Sequence, residues 1–116
     1  MKNLLLLSLL ITLFFIFNAS AQVQSGSWSV KEGQAGYNLH TNQGERAMTI
    51  SIKFPSPFEN KPKVALSVTQ IDADKNANQR YNVEAISISR DGFTIKVRTW
   101  ADSKVFSISG YWIAHE

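Results

Sequence analysis

Past its first 21 residues the sequence predicts an all-β domain, a six-stranded antiparallel β-sandwich. Three observations carry this. Apolar and polar residues alternate in run after run, turn-forming residues fall between the runs, and no stretch repeats at helical spacing.

Trp28 and Val30 mark a short first strand, closed by the loop signals Lys31-Glu32-Gly33 and Asn42-Gln43-Gly44. From Ala47 to Phe54, Met48, Ile50, Ile52 and Phe54 point one way, with Thr49, Ser51 and Lys53 opposite. The stretch Pro55 to Pro62 holds all three prolines and is barred from a central strand, because each removes a ladder donor. Val64, Leu66 and Val68 share a face against Ala65, Ser67 and Thr69, which predicts one strand over Val64 to Ile71. Tyr81 to Ser89 changes phase: Val83 and Ala85 sit in one register, Ile86 and Ile88 in the other. A β-bulge produces such a change, and a strand buried on both faces looks similar. Arg90-Asp91-Gly92-Phe93 carries an Asp-Gly hairpin signal before Phe93, Ile95 and Val97, which alternate with Thr94, Lys96 and Arg98. Phe106, Ile108, Gly110 and Trp112 alternate with Ser107, Ser109 and Tyr111 in the last strand.

The first residues read as an address. Met1-Lys2-Asn3 gives a positive start, Leu4 to Phe17 is apolar apart from Ser8 and Thr12, and Asn18-Ala19-Ser20-Ala21 ends in small residues. This is the pattern of a secretory signal cleaved after Ala21, and the run is too short for a membrane anchor of ~20 apolar residues. The expected organisation is a signal peptide over residues 1–21, one domain over 22–116, and a secreted product with no membrane insertion. Removing 21 of 116 residues leaves 95, one small domain that association between copies would help to stabilise. No cysteine is present, so disulfides, thiol catalysis and cysteine-bound metal are excluded. Loss of Lys2 takes the net charge from +3 to +2, and no Lys/Arg cluster argues for nucleic acid.

Nothing in the sequence points to an enzyme. His40 and His115 lie in a loop and at the penultimate position, no serine sits in a G-x-S-x-G setting, and no H-E-x-x-H occurs. Asp72-x-Asp74-x-Asn76-x-Asn78 places oxygen ligands at alternate positions, as a calcium loop does. Ala77 stands where a sharp turn needs glycine, however, and Val83 where a bidentate glutamate belongs. A polar loop whose side chains bond their own backbone is the favoured reading, with no metal or cofactor expected.

A sugar presents vicinal hydroxyls and an apolar C–H face, so its site needs a donor fork and an aromatic wall. Arg80, between the polar loop and the strand that follows, supplies such a fork. Asn42 and Gln43 supply amides that donate and accept. Trp100 and Phe106 supply candidate walls. Taken singly, Arg80 reads as a surface ion-pair partner, and Trp100 and Phe106 as core.

Five ordered segments change those weights: Val23-Gln24-Ser25-Gly26, Phe54-x-Ser56-Pro57, Leu66 to Asp72, Gly92-Phe93, and Thr99 to Ile113. In order and spacing they resemble the H-type lectin domain, the family of the N-acetylgalactosamine-binding snail agglutinin and of the discoidin C-terminal domain. The resemblance spans essentially all of residues 22–116. It implies a six-stranded antiparallel sandwich assembled as a homotrimer, with glycan sites of galactose or N-acetylgalactosamine type near the boundaries between protomers at one end. It places Arg80 at the family's sugar-binding arginine and Trp100 at its site tryptophan. Phe106 stands at a tyrosine of the neighbouring wall, keeping the ring and losing the hydroxyl. Ala101 replaces a histidine that contacts sugar in the snail lectin, and the family's acidic ligand falls near Asn42 or Gln43, where no acid stands. The snail lectin's internal disulfide maps onto Val30 and Val97, and its inter-trimer cysteine onto Glu59. Ala101 and the missing loop acid also leave open an alternative: a structural or protein-interaction module with a degenerate sugar site.

Overall fold

A computed structural model of the chain describes residues 22–116; the expected signal peptide lies outside the described residues. Seven strands follow in order: β1 (Val23–Lys31), β2 (Arg46–Lys53), β3 (Lys63–Leu66), β4 (Gln70–Ala73), β5 (Asn82–Ile86), β6 (Gly92–Thr99) and β7 (Val105–His115). They form two antiparallel sheets. One has β7 at its centre, with β1 along one edge and β3 and β4 along the other; the second runs β2-β6-β5.

The expected sandwich is thus present with one strand more than expected. The run Val64 to Ile71 is not continuous, because β3 and β4 are two pieces of one edge, both paired to β7. Leu66 pairs with Trp112 and Gln70 with Ser109, so four steps along the edge match three along β7. One residue is inserted, as in a β-bulge. Ser67 N and Thr69 N still bond Tyr111 O and Ser109 O, both at 2.9 Å, which keeps the edge attached across the break. Gly110 makes the bulge possible: a Cβ there would overlap the Ser67 carbonyl oxygen.

Two other expectations are refined. β1 is longer than Trp28 and Val30 suggested, because the exposed Ser25 and Ser27 carry no polarity contrast against Gln24 and Gly26. The phase change after Tyr81 is not a bulge inside β5, whose register against β6 is regular from Asn82 to Ile86. It is the end of the strand: Ser87 turns left-handed at φ 52°, and Ile88 then rejoins the core. Gly92 opens β6 without a positive φ. Glycine is needed there for close approach, since a Cβ would overlap the Ile52 carbonyl oxygen.

The core fills the space between the sheets. Trp28, Val30, Ile108, Trp112 and Ala114 face inward from the first sheet, and Met48, Phe93, Ile95 and Val97 from the second. Val30 and Val97 are among these buried residues, at 0% and 1% exposure, so each is an apolar core position of its own sheet. Phe54 and Phe58 close one end, packed edge to face with ring centroids 4.9 Å apart. Fully burying a side chain such as Phe58 or Ile95 contributes roughly 1.5–3 kcal/mol. Tyr37 and Leu39 close the other end, beneath the loops described next.

Candidate functional site

Three loops meet at the end where β1, β4 and β6 finish and β2, β5 and β7 begin. They are residues 32–45, 74–81 and 100–104. Their convergence is enforced by hydrogen bonds. Leu39 O accepts from Val105 N at 2.9 Å, Ala101 O accepts from Gly44 N at 3.0 Å, and Lys104 O accepts from Asp74 N at 2.9 Å.

A residue with no role in the sequence reading governs this end. Arg46, the first residue of β2, is only 6% exposed. Its guanidinium donates to Gly44 O (3.0 Å), Thr41 O (2.8 Å), Leu39 O (3.4 Å) and Ala101 O (3.0 Å). A planar fork is suited to several fixed acceptors at once, whereas an ammonium is a point donor. Arg46 therefore ties the first loop to the third from beneath. Tyr37 adds a second tie, its hydroxyl donating to Val105 O at 2.5 Å. Desolvation by burial, with smaller contributions from Glu32 and Asp72, pushes the Tyr37 phenol up to about 12.

Arg80 lies at the junction of the second and third loops. Its Nη1 donates to Asp102 Oδ1 at 2.6 Å and to Ser103 Oγ at 3.1 Å. Ser103 is 1% exposed and its hydroxyl donates to Asn78 O, so the arginine rests on a fixed support. The Arg80 carbonyl accepts from Thr99 Oγ1, which sets its backbone beside the end of β6 and next to Trp100. Nη2 and Nε of Arg80 make no hydrogen bond among the described residues. The surface ion-pair reading of Arg80 thus describes one edge of its fork, and the other edge remains open. The Arg80 hydrogen bond holds the Asp102 carboxyl below its ordinary value.

The remaining candidates are placed as follows. Trp100 is 37% exposed, outside the core, with the Arg98 guanidinium 5.0 Å from its ring centroid. Arg98 also pairs with Glu45 of the first loop at 3.3 Å. Ala101 is left-handed at φ 57°, and Asn42 likewise at φ 58°; Asn42 and Gln43 are exposed beside Gly44. Arg80, Trp100, Ala101, Asn42 and Gln43 are therefore gathered on three neighbouring loops. Phe106 is not on these loops: it is half-buried on β7, its carbonyl accepting from Glu32 N of the first loop at 2.9 Å. It is the extra residue of a second irregularity, where Asp72 pairs with Ser107 and Ala73 with Val105. The polar loop behaves as an Asx turn, Asp74 Oδ1 accepting from Asn76 N at 2.9 Å. Two surface concavities of about 360 and 350 Å³ lie toward the opposite end. One is lined by Ser25, Ala65, Ser67, Tyr111 and Ile113, the other by Ser51, Lys53, Ser89 and Asp91.

Sequence reasoning missed Arg46, Ser103 and Asp102. A charged residue entering a strand reads as solvated, and a serine or aspartate in a polar loop reads as turn chemistry. The only local hint is the run Ala101-Asp102-Ser103-Lys104, polar and directly after an exposed-type tryptophan.

The sequence profile of the H-type lectin domain matches residues 49–115. The chain belongs to the H-type lectin domain family. That match takes in Arg80, Trp100, Ala101 and Phe106 and begins after Asn42 and Gln43. A protein of Fuscovulum blasticum described as ATP synthase subunits region ORF 7 is 31% identical over 97 residues, which cover 83% of this chain and 84% of that protein. A discoidin-1 polypeptide of Dictyostelium discoideum is 38% identical over 77 residues, 66% of this chain and 30% of its own length. The structure of wild-type discoidin II from the same organism superposes with a TM-score of 0.74 at 26% identity, over 84% of this chain and 37% of that one. This H-type lectin domain thus corresponds to about a third of each discoidin.

Proposed function

We propose that this H-type lectin domain is an exported, non-enzymatic carbohydrate-binding protein that takes galactose or N-acetylgalactosamine-type glycans at the three-loop end. The observation that carries this reading is Arg80. One side of its guanidinium is held by Asp102 and the buried Ser103, while Nη2 and Nε are left to donate outward as a rigid pair. Trp100, exposed on the adjoining loop, supplies an apolar surface for a sugar's C–H face. Export is supported by the leader-like sequence over residues 1–21.

Association into a trimer belongs to the same proposal, and the first sheet's outer face supports it. Its exposed side chains include Val23, Ser25, Ser27 and Ser29 on β1, Tyr111 and Ile113 on β7, and Ala65 and Ser67 on the opposite edge. Tyr111 is 61% exposed and Ile113 44%, on a face whose charges, Lys31, Lys63 and Asp72, stand at its margins. The second sheet differs: its outer face carries Arg98, Lys96 and Glu84 in cross-strand positions, as a solvated sheet does. A neutral face of small side chains with three protruding apolar ones, Val23, Tyr111 and Ile113, suits close packing against second copies. One shallow site is weak, and three on one particle raise avidity by ~10²–10⁴ where ligand spacing allows.

A glycan array with the purified protein tests the reading. Binding to galactose-type glycans that disappears in Arg80→Ala, with the fold retained, is the expected result. Uniform silence of the folded protein would reject carbohydrate binding, and undiminished binding by the variant would reject this site. The degenerate-site alternative has its own support, since Arg98 already occupies one face of Trp100. It predicts the silent array.

A further inference from the structure

The three-loop end lacks the acidic ligand that the family resemblance would put near Asn42 or Gln43, yet a carboxylate stands in the site. It comes from the third loop. Asp102 is exposed over 56% of its side chain while touching Arg80 at 2.6 Å. Resting on the glycan-binding reading, we propose that Asp102 is a glycan-contacting residue, the acceptor half of an Arg80–Asp102 clamp for two vicinal hydroxyls of one sugar ring.

The chemistry follows from what each group has left. A carboxylate offers about four lone-pair sites, and the Arg80 contact occupies one of those on Oδ1. Oδ2 makes no hydrogen bond among the described residues, so it is available to accept from hydroxyls. Arg80 donates and cannot accept. A hydroxyl lying between Asp102 and the open side of Arg80 therefore gives its proton to the carboxylate and takes a hydrogen bond from the guanidinium. Two adjacent gauche hydroxyls of one ring satisfy both groups together, whereas a ring lacking either hydroxyl leaves one of the two groups without its partner.

The position is also held firmly enough to select. Ser103, next in sequence, is buried and bonded to Asn78 O, and Ser103 N bonds Trp100 O at 3.3 Å. Ala101 O is pinned by Gly44 N and Arg46 Nη2. Asp102 thus sits in a turn fixed on both sides, and Ala101 puts only a methyl group beside it. The carboxyl is held below its ordinary value by the Arg80 hydrogen bond, so it is an anion across the physiological range.

The test compares the parent, Asp102→Ala and Asp102→Asn against methyl galactoside and its singly deoxygenated analogues, with thermal unfolding as the control on folding. A hydrogen bond to a charged group is worth ~1.5–3 kcal/mol, so Asp102→Ala is expected to weaken methyl galactoside binding roughly tenfold to a hundredfold. Asp102→Asn, retaining one acceptor oxygen, should fall between. The discriminating readout is coupling: one deoxy analogue that binds the parent poorly should bind Asp102→Ala no worse than methyl galactoside does. Loss of affinity without such coupling makes Asp102 only a positioning residue for Arg80 and overturns the proposal. So does unchanged or tighter binding by Asp102→Ala, which would mean that the carboxylate competes for Arg80. A parent that binds none of the sugars overturns the underlying function together with the clamp, an outcome distinct from either.

Discussion

The guanidinium of Arg46 and the carbonyl oxygen of Ala101 lie 3.0 Å apart, although 55 residues separate them in sequence. Through that bond, and three more to the first loop, one buried cation organises the end of the sandwich that carries Arg80 and Trp100. Arg46→Met keeps the length and loses every donor, leaving the Thr41 and Gly44 carbonyls unpaired and the Leu39 and Ala101 carbonyls with one partner each. It should destabilise the domain by about 2–4 kcal/mol in chemical denaturation. Arg46→Lys should recover only a minor part of that, because an ammonium cannot span acceptors on two loops. Full recovery by lysine would show that the charge matters and the fork does not.

Gly110 is the second fixed point. The Ser67 carbonyl crosses so near it that Gly110→Ala forces backbone against side chain, with no flexible group to move aside. The expected cost is ~3 kcal/mol or more, at the upper end of overpacking effects. Gly26→Ala meets the Trp112 ring, nearest at 2.6 Å, and also demands a shift of a buried group. Thermal melts of both variants check this. A Gly110→Ala protein as stable as its parent would mean the bulge is absent in solution.

These two residues also mark where the sequence was legible and where it was not. Alternation located β2 and β6 nearly to the residue, because each has one face in the core and one in solvent; for β7 it caught Ile108 to Trp112 but missed the last three residues and the irregularity at Phe106. It cannot register an inserted residue at Ser67–Thr69, since the small side chains there read as either face. Gly110, sitting among Ile108 and Trp112 in the inward phase, was the available signal for a close approach. For the candidate site, the family resemblance singled out Arg80 and Trp100, and the two fall on neighbouring loops at one end of the sandwich. Arg46 and Ser103 act through backbone carbonyls of other loops, and no residue type announces which carbonyls will be near.

The neutral outer face of the first sheet yields a prediction about size. Tyr111→Lys and Ile113→Lys each place a cation on that face, which in the free chain is already exposed at these positions. Folding of the isolated chain should change by no more than ~0.5 kcal/mol, the usual scale for surface substitutions. Light scattering should show a trimeric parent and monomeric variants, with glycan avidity falling although the Arg80 loops are untouched. A parent of monomer mass, or lysine variants of unchanged mass, would reject this face as the contact.

The Tyr37 phenol supplies a dependence on pH whose sign is fixed. Its folded-state value of about 12 lies above the ordinary 10.0, because burial disfavours the phenolate, and Glu32 and Asp72 add to that. A value raised on folding means the native state keeps its proton where the unfolded chain loses it. The associated stability is therefore complete below pH ~10 and is lost as pH rises toward the folded value. Denaturation midpoints should be flat around this group at neutral pH and decline from about pH 10 upward. Tyr37→Phe should cost ~1–2 kcal/mol at pH 7, from the unpaired Val105 carbonyl, and should remove this tyrosine's share of the alkaline decline. Because Val105 follows the loop that holds Ala101, Asp102 and Ser103, glycan affinity in the parent should weaken over the same alkaline range before global unfolding. An alkaline profile identical in Tyr37→Phe and parent would assign the decline to other groups and detach Tyr37 from the site.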